Sequence, residues 1–377
     1  MNYEKYHSTN RSKGLRTFCY LIYYVQVIFN VMKCFMTRGN FDFINSNVVF
    51  SEADKSLWID LINTDCIWYD MIINPPDDIR TNKIIKNYLR IMEKYTRESC
   101  EKRFIYFLGS RKKVRFSTKK QPRYNPFTKN IVFTLLIGKE ERKLRIKYSF
   151  CTFTQNGVVK VTPNVRVTEK FLYIEYENGN LCVMSVHDFV NGHYIDLGIH
   201  TEVHYVGYTR HPHRRPVDFI HRGLSKMLYS VSNDDNDFFV CFSIFNPRII
   251  SLNNKCNVVF NISNSLLDEI DVDNEGRVIE NCLIRYFDPK LQDDDKESKR
   301  SDLNKMFMDL VENKKIKKIY VNFQYERNNE YFCFYSKVVP PKFHHFFVLD
   351  FSDGKINIDR DQDMMTQMAL CMGYYNY

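Results

Sequence analysis

The spacing of apolar positions changes several times along this chain, and each change marks an element. Residues 17 to 36, TFCYLIYYVQVIFNVMKCFM, are nearly continuous in apolar character and approach transmembrane length. Gln26, Asn30 and Lys33 interrupt the run, and Arg16 and Arg38 flank it, so it reads first as a buried or amphipathic helix and second as a membrane anchor. Between 80 and 100, Ile84, Ile85, Tyr88, Leu89 and Met92 recur at three- and four-residue spacing, which predicts a helix. From 103 to 184 the pattern alternates, or runs apolar between Gly, Asn and Pro. FIYFLG, VRFST, NIVFTLLI, KLRIKYSFCTF, GVVKV and KFLYIEY read as strands, with Glu177-Asn178-Gly179-Asn180 as a hairpin turn.

Beyond a charge-rich hinge at Asp293 to Arg300, Leu303, Met306, Phe307 and Leu310 predict a helix over 301 to 313. KKIYVNFQY, YFCFYSKVV and HHFFVLDF then read as three strands. The expected class is α+β. The expected organisation is an N-terminal mixed domain over 1–184, a central domain over 185–295 and a C-terminal helix-plus-strands extension over 296–377. No internal repeat is visible.

Composition changes this picture in two places. The first is charge. The net balance is a mild +9, but residues 101 to 147 carry fifteen Lys and Arg against three Glu, a local excess of twelve. Phe104, Tyr106, Phe107, Phe116, Tyr124 and Phe127 are interleaved there. Basic strands with aromatics suit a nucleic-acid backbone, and they equally suit a solvated face over an aromatic core. Lys112, Lys113 and Arg115 are the candidate contacts. The second place is cysteine. Eleven cysteines, with no Cys-x-x-Cys pair, argue against a zinc ribbon and for reduced thiols in a cytoplasmic or nucleic-acid-associated protein.

The candidate chemistry lies between Gly192 and His221. Gly192-His193-Tyr194 and Tyr205-Val206-Gly207 are separated by ten residues. A hairpin would bring the phenols of Tyr194 and Tyr205 onto one face, where phenols can pass protons or bind a phosphate oxygen. Arg214 and Arg215 follow, at a point where Pro212 and Pro216 limit where a helix can open. A guanidinium there can hold a phosphate in bidentate fashion. His211 and His213 lack an acidic or cysteine partner at ligand spacing, which argues against zinc.

This segment resembles the GIY-YIG nuclease superfamily over roughly residues 190 to 292. The resemblance rests on the two triplets, on Thr209, on Arg215 ten residues after Tyr205, and on a downstream glutamate. Glu280 fits best, in a helix whose buried side is marked by Ile279, Leu283 and Phe287; Glu269 and Glu275 are its rivals. His193 stands where the family has Ile, and Gln292 where Asn is more usual. RGLSKMLYSV and DFFVCFSIF would supply the helix and third strand the family needs, and an insertion is implied around 246 to 275.

The resemblance implies a small antiparallel sheet flanked by helices. It implies a metal-dependent DNA endonuclease, with RNA as another possible substrate, that uses Mg²⁺ or Mn²⁺. Tyr194 and Tyr205 would activate water, Arg215 would offset phosphoryl charge, His221 would donate a proton or orient a tyrosine, and Glu280 would hold the metal. Arg210 and Arg214 would contact the nucleic acid. The alternative is a nucleic-acid-binding or scaffold protein that keeps the fold without cleaving.

Overall fold

The computed structural model describes residues 38–73, 81–100, 103–154, 157–177, 179–215, 222–253, 255, 258–292, 305–324, 329–353 and 355–371. The apolar run at 17 to 36 and His221 lie outside the described residues. Among the described residues, no helix is long and apolar enough to cross a membrane.

The chain divides into two compact units, one over residues 114–193 and the other from segments on both sides of it. In chain order the elements begin with strand β1 (Asp54–Trp68), helix α1 (Thr81–Cys100) and strand β2 (Phe104–Lys112). The smaller unit follows, with β3 (Val114–Phe116), β4 (Ile131–Ile137), β5 (Arg142–Tyr148), β6 (Phe150–Thr154), β7 (Gly157–Val161), β8 (Asn164–Val167), β9 (Phe171–Glu175), β10 (Leu181–Ser185) and helix α2 (Val186–Gly192). The chain then returns to the larger unit as β11 (Thr201–Thr209), α3 (Arg222–Ser230), β12 (Asn236–Asn253), β13 (Val258–Ser263) and α4 (Val272–Phe287). Strands β14 (Ile316–Gln324), β15 (Phe334–Tyr335), β16 (His344–Asp350) and β17 (Asn357–Asp359) complete it.

The larger unit is built on one nine-stranded sheet, in the order β15-β11-β2-β12-β1-β14-β16-β17, with β13 beside β12. Most pairs are antiparallel; β1–β14 and β11–β15 are parallel. The mixed α+β class expected from the sequence is what the structure shows. The three expected segments are not three bodies, however. Strands from before residue 113, from the central block and from the C-terminal block share this sheet. The stretch expected to be an insertion at 246 to 275 is the far half of β12, then β13 and a short helix.

The core of the larger unit is aromatic. Phe107 of β2 meets Phe287 of α4, Phe323 of β14 and Phe334 of β15, with centroids 5.3 to 6.0 Å apart. Offset and edge contacts of this kind add to the area that each ring buries. Cys66 and Cys241, opposite one another in the β1–β12 register, are joined by a disulfide. This corrects the expectation that the thiols are reduced throughout; Cys151, Cys282, Cys333 and Cys371 remain thiols.

Among the described residues, the smaller unit holds three short sheets, β3-β4-β5, β6-β7 and β8-β9-β10. Phe116, Phe133 and Phe189 form its centre, with Tyr148 and His193 packed on Phe189. Helix α2 starts on a reciprocal cap. The Ser185 hydroxyl accepts from the Asp188 N–H, and the Asp188 carboxylate accepts from Ser185.

Candidate active site

The strand carrying Tyr205-Val206-Gly207 forms as expected, but its partner is not the expected one. β11 pairs antiparallel with β2, so Gly207 faces Tyr106 and Tyr205 faces Leu108. Tyr106 and Tyr205 are therefore diagonal neighbours on one face of the pair. Their rings stack with centroids 6.0 Å apart and 18° between planes, and their phenols share a hydrogen bond.

Tyr194 is not part of this arrangement. Gly192 is the last residue of α2, and His193 caps that helix with Nδ1 2.7 Å from the Phe189 carbonyl. Tyr194 follows in a turn with φ of +52°, half exposed at 52%. The expectation of a hairpin through Tyr194 is corrected: the phenol set against Tyr205 is Tyr106. The sequence held a signal for this. Ser185-Val186-His187-Asp188 is a capping box, which places 186 to 192 in a helix and takes Gly192 out of any strand. Phe104-Ile105-Tyr106 is itself an apolar triplet ending in Tyr, on a strand already legible as FIYFLG.

Gly207 has a clear physical role. A Cβ there would lie 2.3 Å from both Cζ and Oη of Tyr106. The Tyr106 ring lies across the Gly207 backbone, and no side chain fits beneath it. Val206, between the two key positions, is held from the other direction. Gln292, fully buried, accepts from the Val206 N–H at 3.0 Å and donates to its carbonyl at 2.7 Å. One amide side chain thus does for Val206 what a neighbouring strand would do, and Gln292 is a working part of the fold.

Glu280 lies on α4, which packs on β11 and β2. Gly276 makes that packing close, since a Cβ there would meet the Tyr208 ring at 2.7 Å. Glu280 follows one turn later on the same stripe. Its two rivals are committed elsewhere. Glu269 forms a buried ion pair with Lys55 at 2.5 Å, and Glu275 meets Arg38 at 3.2 Å and Asn264 at 2.6 Å.

Arg215 is exposed on a single turn in which the N–H groups of Arg214 and Arg215 both donate to the His211 carbonyl at 3.0 Å. Glu93 of α1 steadies this turn, with Nδ1 of His211 at 2.9 Å and Nδ1 of His213 at 2.6 Å. The acidic partner that the local sequence lacked comes from a distant helix. Among the described residues, no group of three or more His, Cys, Asp or Glu side chains is placed to hold a metal ion.

Electrostatics tie these groups together. The Tyr106 phenol is pushed well above the usual range, first by burial, then by the nearby Tyr205 and Glu280, while Arg215 pulls it the other way. Tyr205, Arg215 and Glu280 thus all act electrostatically on the Tyr106 phenol, and Tyr205 also stacks on it. Tyr106 is 1% exposed and Tyr205 8%. The Tyr106 phenol therefore keeps its proton at neutral pH and serves as a hydrogen-bond donor.

The expected nucleic-acid contacts are dispersed. Arg210 pairs with Asp273, which also accepts from Arg103 at 2.9 Å and Tyr208 at 3.1 Å. Burial alone would raise the Asp273 pKa, but the hydrogen bonds and charges of Arg103, Tyr208 and Arg210 outweigh it and hold the carboxyl below its ordinary range. Arg214 is exposed beside Arg215. Lys112 ends β2, six residues from Tyr106, or about 20 Å along the strand. Lys113 follows Lys112, and its N–H donates to the Asp235 carbonyl. Arg115 belongs to the smaller unit. Compared with known proteins, the chain matches no family, no curated protein and no solved structure.

Proposed function

We propose that this chain is a metal-dependent phosphodiesterase acting on nucleic acid, with DNA as the first substrate to test. The site is formed by Tyr106, Tyr205, Arg215 and Glu280. One observation carries the reading: the Tyr106 phenol, stacked on Tyr205, feels the charges of both Arg215 in the following turn and Glu280 of α4. Gly207, and Gln292 on Val206, fix the strand that presents Tyr205. The GIY-YIG resemblance supports the same reading through Tyr205-Val206-Gly207, Thr209, Arg215 and Glu280, without the triplet at 192 to 194.

In this mechanism Tyr106 donates its hydrogen bond to Tyr205, which favours negative charge building on the Tyr205 oxygen. Tyr205, its own phenolic proton first released to solvent, orients a water for in-line attack on phosphorus and takes that water's proton as the new P–O bond forms and the bond to the leaving oxygen breaks. Arg215 offsets the charge growing on the phosphoryl oxygens. Among the described residues the site offers oxygen donors, one carboxylate and two phenols, which fit a hard cation that keeps most of its water ligands. Glu280 would hold it. A bound Mg²⁺ supplies Lewis acidity and neutralises charge on the leaving oxygen.

The deep burial of Tyr106 and Tyr205 favours a second reading, a nucleic-acid-binding protein in which the pair is structural. Cleavage assays on plasmid, linear and single-stranded DNA and on RNA, with Mg²⁺ and with EDTA, decide between the two. The parent is expected to cleave with Mg²⁺ and to stop with EDTA. Glu280→Ala, Arg215→Ala and Tyr205→Phe are expected each to lose about 100-fold or more in rate. Retained cleavage in Glu280→Ala would sink the metal assignment, and a parent inert on all four substrates would favour the second reading.

A further inference from the structure

We propose that the outer face of the β3–β4–β5 sheet is a nucleic-acid-binding surface that holds a strand by its phosphates along β5 and stacks a base on Phe127. The choice of nucleic acid among polyanions rests on the phosphodiesterase reading above; the surface itself is a separate observation.

The strand period sorts β5 into two faces. Leu144, Ile146 and Tyr148 turn inward, while Lys143, Arg145 and Lys147 are exposed. In the β4–β5 register these three cations stand opposite Leu136, Thr134 and Val132, so the outer face is a row of charges beside small apolar and hydroxyl groups. Successive cations are about 7 Å apart along the strand, a spacing that lets each meet a different phosphate of one extended nucleic-acid strand. Among the described residues, no carboxylate pairs with Lys143, Arg145 or Lys147. The hairpin turn at the Lys143 end carries Glu140 and Glu141 with Lys139 and Arg142, so charge balances there and the excess lies toward Lys147.

At the Lys147 end stands Phe127, 94% exposed. An aromatic in this position on a floppy loop would mean little, but this turn is braced. The Asn125 side chain accepts from the N–H of Phe127 at 2.9 Å and of Thr128 at 3.0 Å. The Asn125 N–H donates to Asn130 at 2.8 Å, and the Lys129 N–H donates back to Asn125 at 2.9 Å. Lys160 reaches across from β7 to the Thr128 carbonyl and the Asn130 side chain at 3.3 and 3.1 Å. Ile131, directly after the turn, opens β4 and faces Tyr148, the residue after Lys147. A preorganised turn that holds a solvated phenyl ring at the Lys147 end of a row of cations suits single-stranded nucleic acid, with phosphates on the cations and a base on the ring.

Binding of the full-length chain to fluorescein-labelled single-stranded DNA, duplex DNA and single-stranded RNA, in EDTA across a salt series, tests this. The combined variant Lys143→Ser, Arg145→Ser, Lys147→Ser is expected to bind at least tenfold more weakly. Its slope of log affinity against log salt should be shallower by about 2, from three lost phosphate contacts. Phe127→Ser is expected to bind about 5- to 100-fold more weakly with the slope unchanged. All four side chains are exposed, so thermal unfolding should match the parent. Parent-like binding by both variants overturns the proposal. So does a loss confined to vesicles of anionic lipid, which would make the face a membrane contact. If the parent cleaves but these variants bind normally, this surface alone is wrong. If they lose binding while the parent never cleaves, the phosphodiesterase reading alone is wrong.

Discussion

The basic, aromatic stretch from 101 to 147 enters two regions that treat the same residue types in opposite ways. In β2, Arg111 is fully buried, with Nη2 2.6 Å from the Glu330 carboxylate and its guanidinium 3.8 Å from the centre of the Tyr331 ring. In β5, Arg145 stands in solvent. The aromatics divide likewise. Phe104, Tyr106, Phe107 and Phe116 are core, while Phe127 is not. Charge counted along a sequence cannot separate the two regions, because the carboxylate that claims Arg111 lies 219 residues away. The difference is made by distant partners, and it turns one arginine into a structural bolt and the other into a contact.

The largest test of that contrast is Arg111→Ala. It strands the Glu330 carboxylate, which also accepts from the N–H of Leu197 at 2.7 Å and of Ile199 at 3.3 Å. Urea unfolding should show a loss of about 3–5 kcal/mol, against about 0.5 kcal/mol or less for Arg145→Ala. Equal losses would erase the distinction between the regions. Gly207→Ala should cost about 1–3 kcal/mol, since the new methyl group must displace the Tyr106 ring. The shift would be visible as a change in tyrosine near-UV circular dichroism, and an unchanged spectrum with full stability would mean the ring does not lie where the structure puts it.

The third test is pH. His204 sits in the bulge of β11 with Nε2 2.7 Å from Ser110 Oγ, and burial lowers its pKa to about 4. The unfolded chain binds this proton near the ordinary histidine value, so stability tied to His204 is complete above about pH 6.5 and is lost as pH falls toward 4. Between pH 7.5 and 5 the parent should lose about 1–2 kcal/mol more than His204→Gln. An identical loss in the two proteins would show that His204 is not buried as a neutral ring.

What could be read from the sequence was local. The helix over 81 to 100 follows from Ile85, Tyr88, Leu89 and Met92, which are all buried. Ile279, Leu283 and Phe287 mark the packed side of α4, with Glu280 beside it. Tyr205-Val206-Gly207 needs only strand periodicity. The partner of that strand was beyond reach, because pairing between β2 and β11 spans the whole smaller unit and nothing in the intervening spacing encodes it. The triplet at 192 to 194 fitted a ten-residue gap by coincidence of composition. The contacts of Gln292 with Val206 and of Glu93 with His211 and His213 were hidden for the same reason, as was the Cys66–Cys241 link across 175 residues.

The placement of the smaller unit between β2 and β11 bears on how the site comes into being. Ser110 pairs with Glu202, so the two strands that supply the tyrosines can meet only after the chain from 112 to 201 has been brought back on itself. An unfolded segment of that length makes closure slow and entropically costly, whereas a segment already folded, with its ends close together, behaves as a short connector. If the smaller unit folds first, a destabilising change within it should delay the appearance of the tyrosine pair in refolding followed by near-UV circular dichroism, without touching a single residue of the sheet.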